Sequence, residues 1–160
     1  MDFLCPDCAQ AFPTLISLAE MYDLSLKITI HPFPLPYHRN AFLASKAAHV
    51  VGESGSASYF SYAALLWQNL DELSGDRADN LNVTSVINRL GELASKWVAP
   101  SEFLTAMQNP AFEAGARIAW KYACSRGIYG TPTYYLNGVY LSASPAWTRT
   151  HWRKVIDPLL

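Results

Sequence analysis

The sequence predicts an α/β fold whose strand-bearing parts, residues 1–39 and 128–160, flank an inserted all-helical block at 40–127. Three observations lead there. An alternating apolar run follows the first helical stripe. A hairpin signal stands near the C-terminus. The stretch between the two reads as helix throughout. At 160 residues the chain suits one domain with a sizeable core.

The first helix begins at the cysteines. Phe12, Leu15, Ile16, Ala19 and Tyr22 recur at helical spacing behind Cys8, and Pro13 inside the pattern predicts a kink. Met1–Leu4, ahead of it, read as the end of a strand. After it, Leu24, Leu26, Ile28 and Ile30 alternate with Ser25, Lys27, Thr29 and His31, the pattern of a strand with one wetter face. Lys27 in its middle suggests an edge. Strand, helix and strand at this spacing predict a parallel βαβ unit with a right-handed crossover. Pro32, Pro34 and Pro36 then force an extended loop through His38, which we read chiefly as a stiff connector rather than a wall of the site.

Asn40 is placed to cap a helix through Val51, and Ser56 or Ser58 another through Leu73 with Gly75 beyond. The segment around position 78, with Asp76, Arg77 and Asp79, reads as a polar loop. Asn82 begins a third helix carrying Val83, Val86, Ile87, Leu90, Leu93 and Trp97. Pro100 and Ser101 start a short fourth. Asn109 and Pro110 start one running to Gly127, with Phe112, Ala116, Ala119, Tyr122 and Ala123 on its apolar face. The end returns to strands: Thr133–Leu136 and Val139–Leu141 flank Asn137-Gly138, a strong hairpin signal because both turn residues tolerate positive φ. Ser144 and Pro145 are expected to cap a last helix with Trp147, Trp152, Val155 and Ile156 inward and Arg149, Arg153 and Lys154 outward.

Composition narrows the function. The net charge of −1 lacks the basic excess of a nucleic-acid surface. No apolar run reaches the length of a membrane span. Three cysteines are too few for a disulfide-scaffolded secreted domain. Two of them form Cys5-Pro6-Asp7-Cys8. Such a pair serves zinc, an iron–sulfur cluster or redox chemistry. Zinc needs about four ligands; only Cys124 and the scattered His31, His38, His49 and His151 remain, so the redox reading leads and no metal is expected. Cys5 at a helix N-terminus faces unpaired N–H groups that stabilise a thiolate, which makes it the attacking sulfur. Cys8, one turn in, is the resolving thiol. Cys124 is expected to be a small buried core residue, His38 and Arg39 a polar helix start, and Arg126 either a solvated charge or part of a groove. The Asn82-Val83-Thr84 triplet is an N-glycosylation sequon that matters only in a secreted chain.

Cys5-Pro6-Asp7-Cys8 with Pro13 resembles the thioredoxin superfamily. The helical insertion before Gly130-Thr131-Pro132-Thr133 resembles its DsbA-like branch. Phe33–Phe42, Tyr122–Gly138 and Trp152–Leu159 are similar to DsbA-like proteins of plants and other eukaryotes. The resemblance covers nearly the whole chain and implies a thioredoxin fold with an all-helical insertion. It implies a thiol–disulfide oxidoreductase acting on reduced or unfolded protein substrates, without an organic cofactor. A redox protein or glutathione would be the electron partner. Cys5 and Cys8 would react, supported by Pro6, Asp7, Thr131 and Pro132, with Pro132 as a cis-proline facing the pair. The resemblance favours a secretory or periplasm-like compartment. Asp7 departs from the histidine typical of strongly oxidising bacterial DsbA. A carboxylate beside Cys5 disfavours the thiolate, which predicts a weaker oxidant.

In that fold the strand leading into the cysteines is central, and Met1–Leu4 are too short for it. The expectation is that residues lie upstream; the alternative is completion of the sheet by a second copy, that is, a dimer. Two rival functions stand beside the first. Kappa-type glutathione transferases and hydroxychromene carboxylate isomerases have a similar fold and bind glutathione, but generally lack the cysteine pair. A non-catalytic peptide-binding module is the other.

Overall fold

The computed structural model describes every residue except Asp76, Arg77 and Asp79, so the expected polar loop around position 78 lies mostly outside the described residues. Helix α1 spans Pro6–Tyr22, with Cys5 at its N-cap and Pro13 inside. A short 3-10 turn, Asp23–Ser25, follows. The insertion contributes α2 (Ala41–Gly52), α3 (Ser56–Gln68), α4 (Leu70–Leu73), α5 (Val83–Ala94), α6 (Pro100–Gln108) and α7 (Pro110–Ser125). Strands β1 (Tyr134–Leu136) and β2 (Val139–Leu141) form an antiparallel hairpin, and α8 spans Arg149–Ile156.

Several local signals act as expected. Asn82 accepts from the Ser85 amide and Asn109 from the Ala111 amide, satisfying N–H groups that the first turn leaves unpaired. Asn137 and Gly138 take φ of 50° and 80°, the pair of positive values that a tight hairpin turn requires. Others differ. The cap of α2 is not made by the Asn40 side chain: its Nδ2 instead donates to the Leu73 carbonyl at 2.9 Å, tying α2 to the end of α4. Gly55, not a serine, precedes α3, and the helix breaks at Asn69. Helix α8 begins four residues later than Ser144–Pro145 suggests. Thr148 caps it through a reciprocal box with His151, which leaves Trp147 outside the helix.

The larger correction concerns the βαβ unit. Among the described residues the sheet consists of β1 and β2 alone. Leu24 is fully exposed in the 3-10 turn, and residues 26–31 alternate half-buried and exposed as predicted but join no ladder. A cavity of about 350 Å³ separates them from β1, lined by Leu18, Ile28, Tyr134, Leu136 and Ile156 among others. A strand is defined by its pairing, and alternation alone cannot supply the partner. Met1 pairs with the end of this segment. Its N–H donates to the His31 carbonyl at 2.9 Å, and its carbonyl accepts from the Phe33 amide at 2.8 Å, the pattern of a parallel pair.

Two apolar clusters meet along α1. The larger gathers Phe3, Leu4, Cys8 and Phe12 with Val51, Tyr62, Leu66, Trp67, Leu90 and Phe103 of the insertion. The smaller joins Leu15 and Leu18 to Trp152 and Ile156, backed by Tyr134, Leu136 and Leu141. So α1 buries a wider face than its stripe suggests: Ala11 and Leu18 are buried, while Ile16, Ala19 and Tyr22 lie at the margin. Tyr22 donates its hydroxyl to Asp157 instead. On α7, by contrast, the buried face is narrower than expected, because Tyr122 is exposed and only Ala116 and Ala123 are buried. Among the described residues no helix is long and apolar enough to cross a membrane.

Candidate redox site

Cys5 and Cys8 come first at the start of α1, where the two clusters and the proline loop converge. Both are buried and both are free thiols. Cys5 retains 6% of its surface and Cys8 none, which gives them unequal access to a reacting partner. Pro6 and Asp7 between them are exposed.

The Thr131–Pro132 peptide is cis and lies against the cysteines: the Cys5 thiol donates to the Thr131 carbonyl at 3.4 Å. The Thr131 hydroxyl is buried and has no hydrogen-bond partner among the described residues, and its side chain beside Cys5 favours the thiolate. Residues 5, 8, 131 and 132 therefore assemble across 126 positions of sequence.

The electrostatics separate the two sulfurs. Cys5 is lowered from 9 to about 6. The Cys8 thiol that donates to it is the largest cause, burial opposes it, and the Thr131 side chain and the Cys8 and Asp7 backbone lower it further. Asp7 thus enters through its amide at the helix start, and the repulsion expected from its carboxylate is not the governing effect. Cys8 moves strongly the other way, first because burial penalises its thiolate and second because its proton is held by Cys5. Tyr134 is raised first by burial and then by the acidic groups near it, Cys8, Asp7 and Cys5; its hydroxyl is buried and unpartnered.

Asp2 was not anticipated from the sequence. It is wholly buried, and its carboxylate accepts from the Leu4 amide at 2.8 Å, the Leu35 amide at 2.9 Å and His38 Nδ1 at 2.6 Å. Its backbone carbonyl accepts from Trp67 Nε1 at 3.1 Å, and its own amide donates to Cys8 Sγ at 3.4 Å. The available signal was a lone acid in an otherwise apolar stretch, which must be either exposed or fully satisfied. His38 is accordingly not merely a polar helix start, and the proline loop holds the cysteine turn as well as connecting elements.

Cys124 is exposed, not buried as expected, because the α7 face that carries it looks away from Ala116 and Ala123. Arg126 shapes the cavity wall: it lies 5.0 Å from the Tyr135 ring, donates to the Gly138 carbonyl at 2.9 Å, and lines the cavity beside β1. Among the described residues no group of three or more His, Cys, Asp or Glu is placed to hold a metal ion.

The sequence model of the thioredoxin family, described as "Thioredoxin", matches residues 1–158. One solved structure, described as a putative protein-disulfide isomerase from Pseudomonas syringae, superimposes with a TM-score of 0.83 at 21% identity. The match covers 98% of this chain and 89% of that one. No curated protein matches. A family match over nearly the whole length, together with a shared fold, shows that this chain belongs to the thioredoxin superfamily and has a DsbA-like fold.

Proposed function

We propose that the protein is a thiol–disulfide oxidoreductase that exchanges disulfides with protein substrates through Cys5 and Cys8. The observation that carries this reading is the split between the sulfurs: Cys5, which keeps a little exposed surface and is lowered to about 6, beside a fully buried Cys8 that keeps its proton. At neutral pH the first is a nucleophile and a good leaving group, and the second is a protected resolving thiol.

In the oxidising direction, a substrate thiolate attacks Cys5 Sγ of the Cys5–Cys8 disulfide. The S–S bond breaks, a mixed disulfide forms on Cys5, and Cys8 leaves as a thiolate that takes a proton. A second substrate thiolate then attacks the substrate sulfur of the mixed disulfide, and Cys5 leaves as a thiolate. Two electrons pass from the substrate dithiol to the pair. Glutathione disulfide or a redox protein returns the pair to its oxidised form by the reverse steps. Pro132 keeps an N–H away from the sulfurs, and the backbone of Thr131 is the group that an extended substrate chain pairs with. No organic cofactor is required.

The test is equilibration in glutathione buffers of graded potential, with alkylation of free thiols and counting by mass. The expected result is one two-electron transition belonging to Cys5 and Cys8, in the range of roughly −120 to −200 mV for an oxidant or isomerase; a midpoint near about −270 mV would make it a reductase. Cys5 and Cys8 that alkylate independently, with no shared midpoint, would refute the reading.

A further inference from the structure

A buried acid behind the cysteines has no part in this mechanism. The proline loop makes three hydrogen bonds to the two residues at the start of the chain, ahead of the cysteine turn: Phe33 N to Met1 O at 2.8 Å, Leu35 N to Asp2 Oδ2 at 2.9 Å, and His38 Nδ1 to Asp2 Oδ2 at 2.6 Å. The carbonyl and N–H of the peptide joining Met1 to Asp2 point in opposite directions, as in any trans amide. With the carbonyl fixed by Phe33, the N–H is aimed at Cys8 Sγ, 3.4 Å away. Trp67 holds the following carbonyl from the insertion side at 3.1 Å. The cysteine turn is thus gripped from both sides through one residue.

We propose that Asp2 and His38 are positioning residues of the redox pair: they aim the Asp2 N–H at the Cys8 sulfur and so govern how fast Cys8 resolves a mixed disulfide on Cys5. The chemistry of Cys8 calls for such a device. It sits in an apolar cluster with Phe3, Phe12 and Trp67, where an attacking thiolate finds no water. A fixed amide supplies a hydrogen bond to the developing charge without reorganisation, as preorganised donors do elsewhere in catalysis. Among the described residues the carboxylate makes its hydrogen bonds to Leu4, Leu35 and His38, not to a sulfur. It acts by holding its own backbone, and His38 acts by holding the carboxylate. This inference rests on the reading of Cys5 and Cys8 as the reactive pair.

The experiment reacts the reduced protein, in a Cys124→Ser background, with Ellman's reagent under excess and follows released thionitrobenzoate. Loading is the first event: Cys5 thiolate attacks the reagent disulfide, keeps one thionitrobenzoate as a mixed disulfide, and releases the other. Resolution is the second: Cys8 loses its proton and attacks Cys5 Sγ, releasing the bound thionitrobenzoate and closing the disulfide. Loading depends on reagent concentration and resolution does not, so the phases separate. His38→Phe is expected to slow resolution about tenfold, the scale of one hydrogen bond to a charged group, and to change loading less than about twofold. His38→Gln, which can still donate, should recover most of the rate. Asp2→Asn should slow resolution at least as much as His38→Phe. A folded His38→Phe protein with unchanged resolution, or with both phases and thermal stability lowered in proportion, would overturn the proposal and leave the bracket a purely structural one. Absence of any second release from the unsubstituted pair would instead refute the redox reading itself, and this inference with it.

Discussion

Replacing Cys8 by alanine should raise the pKa of Cys5, and the structure sets the size of the rise. Cys5 is lowered from 9 to about 6, with the hydrogen bond from Cys8 as the largest cause. A hydrogen bond to a charged group contributes about 1.5–3 kcal/mol, and 1.36 kcal/mol corresponds to about one pKa unit. Loss of the Cys8 donor should therefore bring Cys5 to about 7–8. The Thr131 side chain and the backbone amides at the helix start remain, so the value should not return to 9. At pH 6 the thiolate fraction falls from about one half to about 3% for a pKa near 7.5. The assay is the initial rate of alkylation by iodoacetamide across pH 4–9 in a Cys124→Ser background, which removes the exposed third thiol. An unchanged midpoint near pH 6 would show that the helix terminus and Thr131 stabilise the thiolate and that the sulfur–sulfur contact is not its main cause.

Other perturbations follow from the same geometry. Thr131→Val removes a smaller donor and should raise the Cys5 midpoint by less than Cys8→Ala does; a larger effect in the same titration would make Thr131, not Cys8, the main stabiliser of the thiolate. Asp7→His places a cation beside Cys5 and should lower its pKa below about 6, so a higher value would contradict the expectation. Because Cys5 ionises more readily folded than unfolded, its contribution to stability is fully present above about pH 9 and is lost as pH falls towards about 6; the thermal midpoint of the reduced protein, measured against the oxidised one, should rise across that window and stay flat below it. Gly91→Ala would set a methyl 3.0 Å from the ring of Phe103, which is fully buried, so the helix propensity gained should be outweighed and denaturant unfolding should report a loss of about 1 kcal/mol or more. Tyr62→Phe removes the 2.9 Å hydrogen bond to the Leu90 carbonyl inside the core and should cost about 1–2 kcal/mol in the same measurement.

Much of the plan was legible in the chain because the signals that carry it are local. Helical periodicity, the caps at Asn82 and Asn109 and the Asn137-Gly138 turn depend on neighbours within a few residues, and they appear where the sequence put them. The cysteine pair at a helix start and the Thr131-Pro132 dipeptide were readable for the same reason. What failed mostly depended on a distant partner, although the starts of α3 and α8 moved for local reasons, to Gly55 and Thr148. The alternation at residues 26–31 was real, yet a ladder needs a second strand, and a cavity lies where that pairing would be made. Asn40 and Tyr122 had the right residue types for a cap and an apolar face, but their surroundings assign them otherwise. Cys124 was expected inside on the general habit of free cysteines, and only the packing of α7 turned it outward.

The sequence by itself determined where the cysteine pair and the Thr131-Pro132 dipeptide stand and the order of helices and turns around them, since composition and spacing act through local backbone preferences. The tertiary structure decided which sulfur keeps some exposed surface, that the Thr131 carbonyl meets Cys5, and that Asp2, held by His38 and Trp67, places its amide on Cys8. Burial and hydrogen-bond geometry are properties of residues brought together from 126 positions apart, and a carboxylate has no assigned role until its donors are in place.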